Sequence, residues 1–295
     1  MIQWRASWRD AVELWLLPGW AAVLPWRLCF ALFKIIARSE WLYREPVRAA
    51  CEQAQALGWL SQEEAPHWRY RRRLITLVDH ADLFLANTRS DAFLRRHVSV
   101  QGHWPMPGQT AVLCTFHWGA GMWGLRDARA HGLHGHALAA VPQREHLRGR
   151  PLLWWYAQWR TRTSARALGG EIVDVNASMK GAVRHLADGG QLVAVVDVPA
   201  DAVDGSLLVE LLGRRMAMPR GLLRLAAQRQ LPVVCYYTGL DMQSGRRYIG
   251  IEPALTSTSA QALAREVFMV LDRIIRTDTA AWHFWGQMPR FLAMP

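Results

Sequence analysis

The chain has 295 residues, 51% of them hydrophobic and 20% charged, and a formal net charge of +11 from 35 Lys+Arg against 24 Asp+Glu. That hydrophobic content excludes wholesale disorder, and the length fits one large domain or a domain with an appendage. The basic excess, nearly all arginine, favours an anionic partner. The 16 tryptophans, most of them before residue 125, place that partner at a hydrocarbon–water boundary and argue against nucleic acid, whose binders alternate aromatics with Lys and Arg on an open sheet or groove.

Residues 11–37 are apolar enough to enter lipid but poorly suited to crossing it. The run from Leu14 to Trp26 is shorter than the ~20 residues a span needs, Pro18 and Pro25 break it, and Arg27 and Lys34 follow. Arg5, Arg9, Arg38 and Arg44, with Trp4, Trp8, Trp20, Trp26 and Trp41, flank it in the manner of an interfacial helix. A monotopic anchor is therefore expected over residues 1–45, ahead of an α/β domain over 46–295. The alternative is a hydrophobic helical pair packed onto that domain. No cleavable signal peptide is expected, since Glu13 and two prolines interrupt the apolar stretch. Cys29, Cys51, Cys114 and Cys235 form no CxxC pair and read as buried thiols, with no metal site or disulfide frame.

Residues 46–98 read as helical: Ser61 and Glu64 have capping-box spacing, and Leu74, Leu77, Val78 and Ala81 recur at helical intervals. The run Arg69-Tyr70-Arg71-Arg72-Arg73 is either a contact for lipid phosphates or a solvated helix face. Beyond the turn Trp104–Gly108, strands are expected at 110–116, 136–141, 171–175, 191–197, 232–238 and 247–252. Helices are expected near 120–131, 146–168, 177–188, 218–230 and 259–276. This alternation predicts an α/β fold with a mainly parallel central sheet flanked by helices.

Three stretches could carry chemistry. The apolar run Ala111–Phe116 delivers His117 to a strand's carboxyl end, where Trp118-Gly119-Ala120-Gly121 opens a helix; this suits a general base beside backbone amides of Gly119, Gly121 and Met122 as oxyanion donors. A packed or capping histidine, with glycines serving close helix–strand packing, is the structural alternative. Arg162 and Arg166 share a helix face by four-residue spacing and, with Arg160, suit a phosphate or carboxylate clamp or else a solvated face. Gln191–Val196 repeats the first geometry and ends in Asp197. If the two strands are neighbours, Asp197 orients the imidazole or anchors substrate. Asp201 and Asp204 read as solvated turn residues.

These features, with Asn176-Ala-Ser-Met-Lys180-Gly181, Leu186-Ala-Asp-Gly-Gly190, Pro219 opening a helix and Trp282-His-Phe-Trp285, resemble the late (lauroyl/myristoyl) acyltransferases of lipid A biosynthesis, within the lysophospholipid acyltransferase superfamily. The resemblance spans most of the chain. It implies a glycerolipid acyltransferase-like fold on the cytoplasmic face of a bacterial inner membrane, and transfer of a fatty-acyl group from acyl carrier protein or acyl-CoA to a hydroxyl or amine of a membrane-associated acceptor. His117 would be the base, Arg160, Arg162, Arg166 and Lys180 phosphate contacts, anionic lipid a partner, and neither metal nor cofactor would be needed. The family pattern His-x-x-x-x-Asp/Glu places its acid at Met122, whose thioether cannot hold an imidazolium. An acid must then come from elsewhere, Asp197 first and Asp127 second. Otherwise the acceptor is easier to activate, as an amine or the phenol of an aryl or polyene pigment precursor, or catalysis is lost and an acyl- or lipid-binding protein remains.

Overall fold

The computed structural model describes residues 8–175, 179–199 and 205–292; Trp4, Arg5, Asn176–Ser178, Asp201 and Asp204 lie outside the described residues. Nine strands occur among them: β1 (Val98–Gln101), β2 (Ala111–Thr115), β3 (Gly135–Ala139), β4 (Ile172–Asp174), β5 (Gln191–Val195), β6 (Ser206–Leu211), β7 (Arg214–Pro219), β8 (Val233–Leu240) and β9 (Arg247–Ile251). Seven form one sheet in the order β1-β9-β8-β2-β5-β3-β4, and β6 and β7 form a separate hairpin. From β8 to β4 every pairing is parallel, while β9 runs antiparallel to β8 and parallel to β1. All five residues of β2 are buried, as a central strand covered on both faces requires.

The helices are α1 (Leu17–Val23), continuing a π-helical stretch Ala11–Leu16, then α2 (Trp26–Ile36), α3 (Arg44–Ala56), α4 (Ala65–Thr88), α5 (Asp91–His97), α6 (Met122–Ala130), α7 (Pro151–Leu168), α8 (Lys180–Ala187), α9 (Gly221–Gln228) and α10 (Ala260–Thr277). Helices α6, α7 and α8 make the crossovers that parallel pairing demands. The expected strands and helices from residue 110 onward are all present. Two elements were not anticipated, β1 and the β6–β7 hairpin, and Pro219 closes β7 instead of opening α9. The hairpin turns on Leu212 and Gly213, both at positive φ (55° and 71°). A leucine there carries no sequence signal, because φ > 0 normally selects Gly, Asn or Asp.

The N-terminal helices belong to the body. Leu14, Ala21, Trp26, Phe30 and Phe33 share one continuous core with Leu74 and Val112. Trp15 stacks on Trp159 at 5.4 Å and 9°, and its N–H donates to the Leu152 carbonyl at 3.2 Å. Arg247 lies between Trp26 and Trp123, 4.0 and 4.6 Å from their rings, and pairs with Asp82; neither side chain is exposed. Pro25 separates α1 from α2, Leu24 before it being extended. The opposite side of the pair remains uncovered, and Leu16, Val23, Leu28 and Ile35 are each more than half exposed. Among the described residues no helix is long and apolar enough to cross a membrane.

The basic run on α4 is divided: Arg69, Tyr70 and Arg71 are part-exposed, whereas its last two arginines face inward, which corrects the expectation of a lipid contact or solvated face for those two. Arg72 and Arg73 are buried. Arg72 donates from Nη1 to the carbonyls of Ala280 (3.1 Å) and Trp282 (2.7 Å), Arg73 donates from Nε to the Ala37 carbonyl (2.7 Å), and Arg71 pairs with Asp278 at 2.6 Å. Burial lowers the Arg72 guanidinium to about 10. Arg71 and Arg72 fasten the segment after α10 to the body, and that segment completes the site, while Arg73 ties the end of α2 to α4. The pair Ser61–Glu64 forms its reciprocal hydrogen bonds as expected, on the turn leading into α4 (3.1 and 3.2 Å).

Candidate active site

The chain leaves β2 through α6 towards β3 and leaves β5 in the opposite direction towards β8, so the crevice between the carboxyl ends of β2 and β5 is a topological switch point. The register there pairs Thr115 with Val195. His117 and Asp197 stand two residues beyond that pair, at equal offset on strands spaced about 4.8 Å apart.

Their side chains meet. His117 Nδ1 lies 3.0 Å from Asp197 Oδ1, and the His117 backbone N–H donates to the same carboxylate at 2.8 and 3.0 Å. The Trp282 indole N–H donates to Oδ2 at 2.9 Å. Asp197 is fully buried while the imidazole is 36% exposed. A carboxylate only accepts, so it fixes the Nδ1–H tautomer and leaves the Nε2 lone pair as the proton acceptor. The ring of Phe284 packs against the imidazole, with centroids 4.2 Å apart.

The turn after His117 is built from both sides. Gly119 adopts φ +68°, and a Cβ there would collide with the Thr238 carbonyl oxygen at the end of β8. Ala120 N–H donates to that oxygen at 3.0 Å. On the other side, Gly119 N–H donates to Ala281 O (3.0 Å) and His283 N–H to His117 O (2.7 Å), while His283 Nε2 contacts Gly119 O at 2.8 Å. Gly119 N–H is thus committed to Ala281 and is not an oxyanion donor, contrary to expectation. Gly121 and Met122 begin α6, where first-turn amides have no acceptor within the helix. The Met122 side chain is buried in the core. The carboxylate beside His117 therefore comes from the end of β5, not from α6, and Asp127 is occupied elsewhere, accepting from Trp104 Nε1 at 2.8 Å.

Behind His283 lies a polar cluster that α4 and α7 contribute. Asp79 pairs with Arg160 at 3.0 Å, Arg160 also reaches the Tyr156 hydroxyl (3.3 Å), and His80 Nδ1 lies 2.6 Å from that hydroxyl. Burial works to raise the Asp79 carboxyl, but its Arg160 ion pair holds it below the usual range. Burial lowers His80 to about 4 and, with Arg72 adding to it, His283 to about 3, so both rings are neutral.

The four expected cations separate in space. Arg160 is one-third exposed and oriented by Asp79, on the side of the site nearest His283. Arg162 and Arg166 stand on the exposed face of α7, where Arg166 donates to Asn87 Oδ1 at 2.8 Å. Lys180 is on a different element, at the start of α8, which packs on β3 and β5. Trp282, His283, Arg72 and Asp79 escaped sequence reasoning as site residues; the aromatic run at 282–285 was the one visible signal. All four cysteines are buried and free, and no His, Cys, Asp or Glu cluster among the described residues would hold a metal.

No protein-family model matches this chain, and no curated protein is significantly similar to it.

Proposed function

We propose that the protein is an acyltransferase that moves a fatty-acyl group from a thioester, on acyl carrier protein or acyl-CoA, to a hydroxyl or amine of an acceptor held at a membrane surface. The observation that carries this reading is the His117–Asp197 pair: a solvent-accessible imidazole whose Nδ1 side is fixed by a fully buried carboxylate at a switch-point crevice.

His117 Nε2 takes the acceptor's proton as its oxygen or nitrogen attacks the thioester carbonyl. The tetrahedral oxyanion would be met by the amides of Gly121 and Met122 and the positive end of α6. Asp197 stabilises the imidazolium, and the proton passes to the departing thiolate. A thioester leaving group needs no metal in this scheme. Arg160 is the cation best placed for an acceptor phosphate, and the uncovered Leu16, Val23, Leu28 and Ile35 beside Arg27 and Arg38 support a peripheral position on anionic lipid, on the cytoplasmic face of an inner membrane. The resemblance to late lipid A acyltransferases supports the reaction class, with the family's helix-borne acid replaced by Asp197.

The test is to incubate purified protein with acyl carrier protein thioesters and a bacterial lipid extract and to follow the products by mass spectrometry. A new acylated lipid, absent with Asp197→Asn, is the expected outcome. Tight retention of lipid with no turnover by the wild type would contradict it and assign the scaffold to binding.

A further inference from the structure

On a different side of the molecule from α1 and α2, a groove of about 930 Å³ runs between β6 and the outer face of α10. Helix α10 packs on β6, α9 and β8, whereas α1 and α2 pack on α4. The groove has an aliphatic centre, Leu208 and Met269, 43% and 49% exposed. Four arginines surround that centre: Arg215 from β7 and Arg265, Arg273 and Arg276 from α10. Two acids also line the groove, Glu210 across the hairpin from Arg215 and Asp272 on α10, so the arginines outnumber them four to two. Asp272 is already engaged by Leu212 N–H at 2.6 Å and by Arg276, and Arg273 pairs with Glu252 at 2.6 Å. Arg215 and Arg265 enter no ion pair among the described residues.

The geometry points to a docking site for an acidic amphipathic helix of a partner protein, the carrier that brings the acyl thioester; the carrier's identity rests on the acyl-transfer reading above. Charge complementarity selects the occupant. An aliphatic floor ringed by guanidinium groups matches a helix with an apolar residue on one face and carboxylates on either side. Gln261 to Arg276 on α10 measures roughly 20 Å, room for three to four turns of such a helix. A flat anionic lipid surface fits a concave groove poorly, and the large exposed apolar residues suited to lipid stand on the other side. Nucleic acid would call for aromatic platforms, which this centre lacks. Thr277, which lines the groove, is followed directly in sequence by the segment that places Trp282 on Asp197.

The test uses the full chain and labelled acyl carrier protein without an acyl group, so that binding is read apart from turnover. Wild-type protein should bind with an affinity that falls as salt rises. The double variant Arg215→Glu/Arg265→Glu, and separately Met269→Asp, should bind at least roughly tenfold more weakly with an unchanged melting temperature. A second arm compares transfer from the carrier-borne thioester with transfer from a pantetheine thioester: the variants should raise KM for the first and leave the second unaltered. Carrier binding that is absent in the wild type, or equal in the variants, overturns the docking proposal, as does equal loss of binding to phosphatidylglycerol vesicles. Salt-sensitive binding that the variants lose, with no transfer from either donor, upholds the groove and removes the acyl-transfer reading. Variants that transfer from both donors like the wild type do the reverse.

Discussion

Two aspartates among the described residues are fully buried, and each faces a cationic or protonatable partner, yet the partners differ in exposure. Asp82 meets Arg247, which is itself sealed between Trp26 and Trp123. Asp197 meets His117, whose far nitrogen is open to solvent. A carboxylate locked to a sealed guanidinium can only bolt elements together, here α2, α4, α6 and β9. Buried behind an accessible imidazole, as in the acyl-transfer mechanism we propose, the same group can orient the ring, because a proton can arrive and leave at Nε2 while the carboxylate stays fixed. On the proposed function, what separates a structural pair from a chemical one is the exposure of the partner, not the burial of the acid.

Substitutions sharpen that contrast, and, short of removing His117 itself, the largest effect should come from Asp197→Asn. The amide keeps the shape but cannot stabilise an imidazolium, and in serine hydrolases such a change costs on the order of 10⁴ in rate. We expect loss of a similar order in acyl transfer with a small change in melting temperature. If the Asp197→Asn enzyme transferred at the wild-type rate, the pairing of His117 with Asp197 would be structural, like that of Asp82. Arg247→Met is the mirror experiment. It strands Asp82 and should cost about 3–5 kcal/mol of stability in urea unfolding, with transfer per folded molecule unaltered. The double variant Asp82→Leu/Arg247→Met should recover most of the loss; a double as unstable as the single would show that something other than an unpaired charge is responsible.

Trp282→Phe should have a smaller effect. It removes one N–H from the Asp197 carboxylate while keeping an aromatic ring in the core, and should lower transfer about tenfold, a hydrogen bond to a charged group being worth about 1.5–3 kcal/mol. Unchanged kinetics would mean that the two His117 N–H contacts suffice. The pH dependence of stability should move least. His80 and His283 sit at about 4 and about 3 when folded, against 6.5 for the free ring. The folded chain therefore binds fewer protons than the unfolded chain between those limits. Their contribution is complete above 6.5 and is lost as pH falls towards 4, at on the order of 1 kcal/mol per pH unit for each ring. Asp82, pushed up to about 7 by burial against the pull of Arg247, contributes with the opposite sign over part of that range. Comparing His283→Asn with the wild type cancels Asp82: the variant should lose stability less steeply on acidification, and an identical slope would place His283 outside the linkage.

The sequence carried the sheet well because buried parallel strands are continuous apolar runs, and Ala111–Phe116 and Gln191–Val196 announce themselves that way. Their termini, His117 and Asp197, were legible for the same reason, as polar residues where such runs stop. What no single chain can display is adjacency. That β5 lies beside β2, although β3 and β4 intervene in sequence, follows from crossovers, and on that neighbour relation the pairing depends. Arg72 and Arg73 misled because their acceptors, the carbonyls of residues 37, 280 and 282, are remote in sequence. Trp282 was visible as an aromatic but not as a donor to Asp197, and the hairpin stayed hidden behind a leucine in the left-handed region.

The most direct test of the central claim is the rate of acyl transfer from a carrier thioester by His117→Ala protein whose fold is verified by its melting temperature. A general base at His117 predicts a fall at least as large as that expected for Asp197→Asn, on the order of 10⁴, with the fold intact. Transfer at the wild-type rate by that variant would contradict it.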